Sequence, residues 1–313
     1  MGTQNTNSFS DEIICPYCFK KAKVEKRTKI SKCSSFDSYA KKYVCTVCNH
    51  TINRDYVEKN YTQLKKIGFV GYEGQGKSIF IKNLVEFLLN MTKTDSSEYN
   101  ELSFSPMDEE TLKLFYSDMS LVGNGRADRF SKFVFKLNYS SGIKEAVVCL
   151  YDTQGENFRD RIDIVKSAPY CGFCDVIYLV ISIDDSGPIW HKIIKGLLDN
   201  YLTAANQIGE GVLQNQNLKV VLTKGDLIFN NDFVELPEIL IDWINNKNSG
   251  NSQLGMISKE IEKFLINHEC GAFCNLANRQ FKSVNYYLLS NLNQKPISQE
   301  NQKKVFELFC SSF

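Results

Sequence analysis

The octapeptide Gly71-Tyr-Glu-Gly-Gln-Gly-Lys-Ser78 constrains this chain more than any other stretch, because it matches G-x-x-x-x-G-K-[ST]. It stands between an apolar run, Ile67–Gly71, and a segment with apolar residues at Ile79, Phe80, Leu84, Phe87 and Leu88. The run reads as a buried strand and the spacing as one face of a helix over Lys77–Asn90. A strand-to-helix turn is the context in which this pattern carries its chemistry. Gly71, Gly74 and Gly76 let backbone N–H groups turn inward around an anion, where a Cβ would crowd the turn. The helix N-terminus adds partial positive charge. Lys77 is placed to bridge β- and γ-phosphates, and Ser78 to bind Mg²⁺. Of the residues between the glycines, Gln75 and Glu73 are counted with the nucleotide-binding loop, and the Glu73 carboxylate either faces solvent or repels the γ-phosphate. The plain alternative is a glycine-rich turn with no ligand.

Beyond this helix, residues 92–106 are polar and read as a loop, with a short helix over Asp108–Met119. Phe130–Tyr139 alternates apolar residues on one face, Ser140-Ser141-Gly142 is a turn, and Glu145–Tyr151 is a second strand, so the pair is predicted to be a β-hairpin. Strand and helix patterns then alternate: helix Arg159–Lys166, strand Asp175–Ile183, helix Ile189–Gln207 and strand Leu218–Leu222. Helices over Pro237–Asn246 and Ile257–His268, a strand over Phe281–Leu289 and a helix over Gln299–Cys310 complete the chain. Such alternation with apolar strands points to an α/β sheet covered on both faces.

Two of these strands end in chemistry. Val147–Tyr151 runs into Asp152-Thr-Gln-Gly155-Glu156. An acid at a strand end holds Mg²⁺ through water, and Gly155 lets its N–H approach a γ-phosphate; the plain alternative is a helix cap. Lys219–Leu222 runs into Thr223-Lys224-Gly225-Asp226. The Asp226 carboxylate can accept from the guanine N1–H and 2-amino group, which adenine does not offer, and a buried polar group left unpaired discriminates by roughly 10⁴. Lys224 would lay its stem along the base.

The first 60 residues have a different texture. Cys15-Pro-Tyr-Cys18 and Cys45-Thr-Val-Cys48 are two Cys-x-x-Cys knuckles, each presenting two thiolates at the spacing of a tetrahedral Zn²⁺ site. A hairpin between them absorbs the intervening chain at low entropic cost. Cys33 and His50 are alternative ligands. Zinc contributes on the order of 10 kcal/mol, enough to fold a segment with few aliphatics. Cys171 with Cys174, and Cys270 with Cys274, read instead as buried free thiols. The net charge of +1 hides an asymmetry: residues 1–66 carry 13 Lys/Arg against 6 Asp/Glu, and residues 67–313 carry 24 against 30. The basic run from Lys20 to Lys32, with Tyr17, Phe19 and Tyr39 as stacking residues, makes nucleic acid a candidate partner of the head; a solvated face or a protein contact is the alternative. With 43% hydrophobic residues, the chain can build a core, which excludes a disordered or collagen-like polymer. No apolar run approaches the ~20 residues of a membrane helix, and the first residues lack a secretory pattern. Reduced thiols fit a cytoplasmic address. Gly2 and Thr6 meet the loose myristoylation pattern.

The three strand-end motifs, in this order, resemble the Ras-like GTPase superfamily over residues 61–313. The resemblance implies an α/β fold, a P-loop NTPase three-layer sandwich with one antiparallel strand, preceded here by a small zinc ribbon over 11–60 and a disordered tail over 1–10. It implies GTP/GDP with Mg²⁺ as ligands, GTP hydrolysis as the activity, and Lys77, Asp152 and Glu156 as the catalytic set. Switch I falls within 91–129, with Thr92, Thr94 or Thr111 as its Mg²⁺ ligand, and Ser283-Val284-Asn285 is the base-side candidate. Glu156 stands where the superfamily often has a catalytic Gln, with Gln154 two residues earlier, which implies slow intrinsic hydrolysis or a residue from a partner. Cys15–Phe19 directly ahead of such a domain is similar to the double-GTPase family, second type. That likeness implies a second GTPase or another protein as partner, in a bacterial conflict or defence system. A zinc-ribbon ATPase acting on nucleic acid and a non-hydrolysing GTP-binding scaffold are the competing readings.

Overall fold

The structure, a computed structural model, describes residues 7–31, 38–91, 102–107, 131–139, 143–183, 190–230, 236–245, 253–290 and 298–313. Seven strands form the main sheet: β5 (Gln63–Val70), β6 (Ser103–Pro106), β7 (Ser131–Tyr139), β8 (Ile143–Asp152), β9 (Val176–Ser182), β10 (Asn217–Thr223) and β11 (Ser283–Leu288), in the order β11-β10-β9-β5-β8-β7-β6. Strands β11, β10, β9, β5 and β8 run parallel, and β7 pairs antiparallel with both β8 and β6. Among the described strands β7 is thus the one that runs against the rest, as the hairpin pattern predicts. Every residue of β9 is buried, which is why these strands read as continuous apolar runs rather than alternating ones.

Helices cover both faces. On one, Phe80 of α2 (Lys77–Met91) packs on Phe69 and Tyr178, and the Tyr178 hydroxyl bonds to the C-terminal helix Gln299–Cys310 and its following turn at Leu308 and Ser312. On the other, Tyr151 stacks on Tyr170 in the turn Pro169–Gly172, and Tyr201 of the helix Trp190–Ile208 bonds to the Cys171 carbonyl. In chain order the remaining helices are α1 (Arg54–Val57), α3 (Arg161–Ser167), α4 (Trp190–Ile208), α5 (Glu238–Ile244), α6 (Leu254–Leu265), α7 (Gly271–Gln280) and α8 (Gln299–Cys310). No described helix is long and apolar enough to cross a membrane.

Three local expectations change. Residues 103–106, read as loop, form edge strand β6; Ser, a single Phe and Pro106 give too weak an alternation to declare it. The helix expected over Ile257–His268 stops at Leu265, where His268 and Glu269 leave helical geometry, and α7 starts from Gly271. Strand β1 (Asn7–Ile14) begins inside the segment read as a disordered tail. It joins β2 (Lys21–Ser31), β3 (Ser38–Cys45) and β4 (Thr51–Ile52) in an antiparallel sheet ordered β1-β2-β3-β4. The β2–β3 hairpin is the connection expected between the two knuckles.

Candidate functional site

The chain leaves β5 at the sheet's switch point, since β8 and β9 flank it on opposite sides. Ligands of open α/β sheets bind at such a point, outside the carboxyl ends of the strands. The glycine-rich turn 71–76 lies there and opens α2. Gly74 and Gly76 hold φ at +76° and +92°, a region closed to most side chains. Gln75 pins the turn from within: its side-chain oxygen accepts from the Ser182 amide, and its carbonyl accepts from the Thr223 hydroxyl at 2.8 Å. The ends of β9 and β10 thereby hold the turn. The side chain of Gln75, counted with the nucleotide-binding loop from the sequence, is buried and spent on the Ser182 bond. Glu73 is exposed, the first of its two expected placements.

Lys77 is buried at 5% exposure, and its ammonium donates to the Gly71 carbonyl at 2.7 Å and to the Tyr72 carbonyl at 2.9 Å. Burial pushes its pKa down, against the charges of Asp152 and Glu73. Ser78 donates to Asp152 Oδ2 at 3.0 Å, whereas Asp152 Oδ1 is buried with no hydrogen-bond partner among the described residues. Burial raises the Asp152 pKa; the Lys77 charge and the Ser78 hydroxyl oppose this. A buried carboxylate with one satisfied oxygen is an incomplete arrangement, of the kind that a hard cation with oxygen ligands can complete. Just after Asp152, a Cβ on Gly155 would overlap the backbone of Tyr72 and Glu73, so glycine is what allows the two turns to touch. Glu156 is exposed on the turn Gly155–Phe158.

At the end of β10, Thr223 is buried and bonded to the turn as above. Lys224 and Asp226 are half-buried, and Lys224 holds φ at +58°. The amide of Gly225 donates to the Leu289 carbonyl at 3.0 Å. This corrects the base-side expectation: Ser283-Val284-Asn285 starts β11 and pairs with Asn217-Leu218-Lys219 at the far end of β10. The chain beside Gly225 is Leu289-Ser290, just past the carboxyl end of β11, with Ser290 buried. Parallel pairing dictates this, since residues that open β11 sit at the amino edge of the sheet and only its exit reaches the carboxyl edge.

The second site is the cysteine cluster. The sulfurs of Cys15, Cys18, Cys45 and Cys48 all lie within 4.8 Å of one another, with Cys15–Cys48 at 3.7 Å and Cys18–Cys45 at 3.9 Å. A tetrahedron with Zn–S bonds of about 2.3 Å sets sulfurs ~3.8 Å apart. The amides of Tyr17 and Val47 donate to Cys15 and Cys45 sulfur, each at 3.4 Å. Burial raises the Cys15 thiol pKa far above the ordinary range and pushes Cys48 up to about 11. The Cys45 thiol is lowered instead: burial opposes this, but hydrogen bonds from the Cys48 and Val47 amides and from the Cys48 and Cys15 side chains outweigh it. His50 stacks on Tyr17 at 4.8 Å and lies outside the cluster.

Two of the three aromatic residues expected to stack on bases are engaged elsewhere. Phe19 is buried, stacked on Phe173 at 5.3 Å. Tyr17 sits between His50 and the Lys132 ammonium, which lies 3.5 Å from its ring centre. Cys171, Cys174, Cys270 and Cys274 are buried free thiols, as expected. Gly2, Thr6, Cys33, the helix over 108–119, the turn 140–142 and Thr92, Thr94 and Thr111 lie outside the described residues, as does the Tyr39 side chain. Neither a scan against protein-family models nor a search of curated proteins returns a match.

Proposed function

We propose that this chain is a GTP-binding and GTP-hydrolysing switch whose N-terminal module binds zinc. The observation that carries the nucleotide half is the Asp152 carboxylate: buried, bonded to Ser78 through one oxygen and, among the described residues, unpartnered at the other, where the glycine turn and Lys77 converge. That arrangement fits Mg²⁺ with a nucleoside triphosphate. Bound Mg²⁺ supplies charge neutralisation between the β- and γ-phosphate oxygens.

The chain's own residues do the rest. Turn amides 72–77 present N–H groups to the phosphates, and Lys77 exchanges the Gly71 and Tyr72 carbonyls for phosphate oxygens. Ser78 and Asp152 would hold the metal, and Asp226 would accept from the guanine edge with Lys224 along the base. Water attacks the γ-phosphorus, the bond to the β–γ bridging oxygen breaks, and the water's proton passes to the phosphate product or solvent, giving GDP and phosphate. Lys77 and the amides hold the charge that develops. Zinc in the four-cysteine cluster folds the head, and the resemblance to double GTPases points to a second GTPase as partner.

A non-hydrolysing scaffold is the second reading, favoured by one observation: Glu156, an exposed carboxylate, stands where an orienting amide is expected. Single-turnover assays separate the two, since tight GTP binding without phosphate release selects the scaffold. The ATPase acting on nucleic acid is weakened because Tyr17 and Phe19 are engaged in packing. Nucleotide and zinc analysis of the purified chain tests the whole reading. Guanine nucleotide with one zinc per chain is expected; retained ADP or ATP, or less zinc, overturns it. Asp226→Asn should shift preference toward xanthine nucleotides, and an unchanged preference sinks the guanine assignment.

A further inference from the structure

The first knuckle carries a residue that metal binding alone does not require. Phe19, after Cys18, holds φ at +58°, with its amide on the Cys15 carbonyl at 2.9 Å. The second knuckle repeats the turn with Asn49, at φ +59° and 2.9 Å from the Cys45 carbonyl. Asn visits this left-handed region readily, whereas a bulky aromatic there is an outlier. Such strain persists where the surroundings over-determine it.

Those surroundings are the seven-stranded body. The Phe19 ring meets Tyr151 edge-on at 5.2 Å and stacks on Phe173, and the Tyr151 hydroxyl donates to the Pro16 carbonyl at 3.2 Å. Tyr151 is the residue before Asp152. It stacks on Tyr170 at 5.5 Å, and the Tyr170 hydroxyl donates at 2.9 Å to the carbonyl of Phe69, just ahead of Gly71. Contact therefore runs unbroken from a cysteine knuckle to the acid and to the root of the glycine turn.

We propose that Phe19 makes metal in the head an input to the nucleotide site: zinc on Cys15 and Cys18 fixes the turn that presses Phe19 onto Tyr151 and Phe173, and so sets affinity for Mg²⁺–guanine nucleotide. The inference rests on the functional reading above. Without metal the knuckle is free to relax Phe19 to an ordinary φ and withdraw its ring. The linkage is reciprocal, so nucleotide tightens zinc binding by the same factor. Contact alone does not establish coupling; a linkage measurement does.

The test uses the full chain and a fluorescent non-hydrolysable GTP analogue with Mg²⁺, in zinc-loaded, chelator-stripped and zinc-restored samples. Stripping should raise the analogue Kd on the order of tenfold, and restored zinc should reverse it. Phe19→Gly relieves the positive φ, keeps one zinc per chain and makes the Kd indifferent to zinc. Phe173→Ala breaks the same contact from the body and should behave alike. A wild-type Kd unchanged by stripping overturns the proposal, and so do variants that keep the wild-type zinc dependence. A zinc-loaded chain that binds no guanine nucleotide overturns the functional reading instead. Hydrogen exchange then still reads the contact. Protection at 148–152 and 169–173 that falls on stripping, and is already low in Phe19→Gly, supports the mechanical link; protection indifferent to zinc overturns it.

Discussion

Asp152 and Lys77 are perturbed in opposite directions by the same burial, and each charge partly offsets the cost of the other. Neither is a surface ion whose loss is absorbed by water. Asp152→Asn keeps a partner for Ser78 but removes the anionic oxygen that a cation needs. Mg²⁺-dependent nucleotide binding should weaken about 100-fold or more, the loss of several kcal/mol expected of a metal ligand, while Mg²⁺-free binding of GDP changes little; titration with and without EDTA checks this. A second buried cation is remote from the site. Lys304 donates to the Trp243 carbonyl, its ammonium lies 4.6 Å from the Trp243 ring centre, and burial lowers its pKa to about 8 from 10.5, against the charges of Glu307 and Glu300. The folded pKa is below the unfolded one, so the folded state binds fewer protons between the two values. Stability relative to Lys304→Met therefore rises with pH from about 8 to about 10.5. Urea unfolding of both proteins near neutrality and at about pH 10 should show the gap move in favour of wild type, and a movement the other way refutes the sign.

The turn at Gly155 and the kink at Glu269 show two fates of constrained backbone. Gly155 touches the Tyr72–Glu73 backbone, and any Cβ must push the two turns apart. Gly155→Ala is expected to fold, because the turn lies at the sheet edge, yet to lose discrimination between triphosphate and diphosphate, measured as the ratio of their Kd values. Glu269 holds φ at +64° between α6 and α7, where its exposed carboxylate meets His191 at 3.5 Å. That exposed pair contributes little, whereas a non-glycine left-handed residue costs roughly 1–2 kcal/mol. Glu269→Gly should stabilise the chain by about 0.5–1 kcal/mol after glycine's entropy is counted, seen as a higher urea midpoint at an unchanged m-value. The sequence shows neither constraint directly, but it does show the elements they join. Strands β5, β8, β9 and β10 are legible because a parallel strand covered on both faces must be apolar throughout. α2 and α4 are legible because each buries one face. Edge strand β6 is not, since among the described strands it pairs on one side only and has less to demand a pattern. α7 is not, because it starts at a glycine directly after a kink. The turn 71–78, Asp152 and Thr223–Asp226 stand out in the sequence because the proposed phosphate, metal and base chemistry would admit few residue types, and the fold brings them to one end of the sheet. Ser290 escapes, and Gln75 and Phe19, read as a nucleotide-loop residue and a base-stacking ring, turn inward instead, because these placements come from what other strands bring beside them.

The charge asymmetry and the change of texture near residue 60 suggest two separate domains, but the buried residues of head and body form one continuous cluster from Ile13 and Phe19 through Tyr56 to Tyr151. Polar contacts cross the same boundary: Asn53 reaches the Met107 carbonyl at 3.0 Å, and Lys136 lies 3.9 Å from Asp55. Within the head, Tyr56 donates to the Ile14 carbonyl and so ties α1 to β1. Composition detects the boundary because β2 and β3 are basic and the head has few aliphatics; it cannot detect a shared interface built from the rings of Phe19, Tyr151, Tyr170 and Phe173. Shared burial makes the parts cooperate, because separating them exposes apolar surface on both. The zinc-loaded chain should therefore unfold on heating in one transition rather than two. Cys45→Ser removes a ligand from the second knuckle and leaves Cys15–Phe19 intact in sequence. It forfeits metal stabilisation on the order of 10 kcal/mol, far more than a head with so few aliphatics can replace. Strands β1–β4 should then lose hydrogen-exchange protection, and the body, with Tyr151 and Phe173 uncovered, should melt at a lower temperature than in wild type. Two resolved transitions in zinc-loaded wild type would make head and body independent. A body melting point unchanged by Cys45→Ser would show that the interface contributes nothing to it.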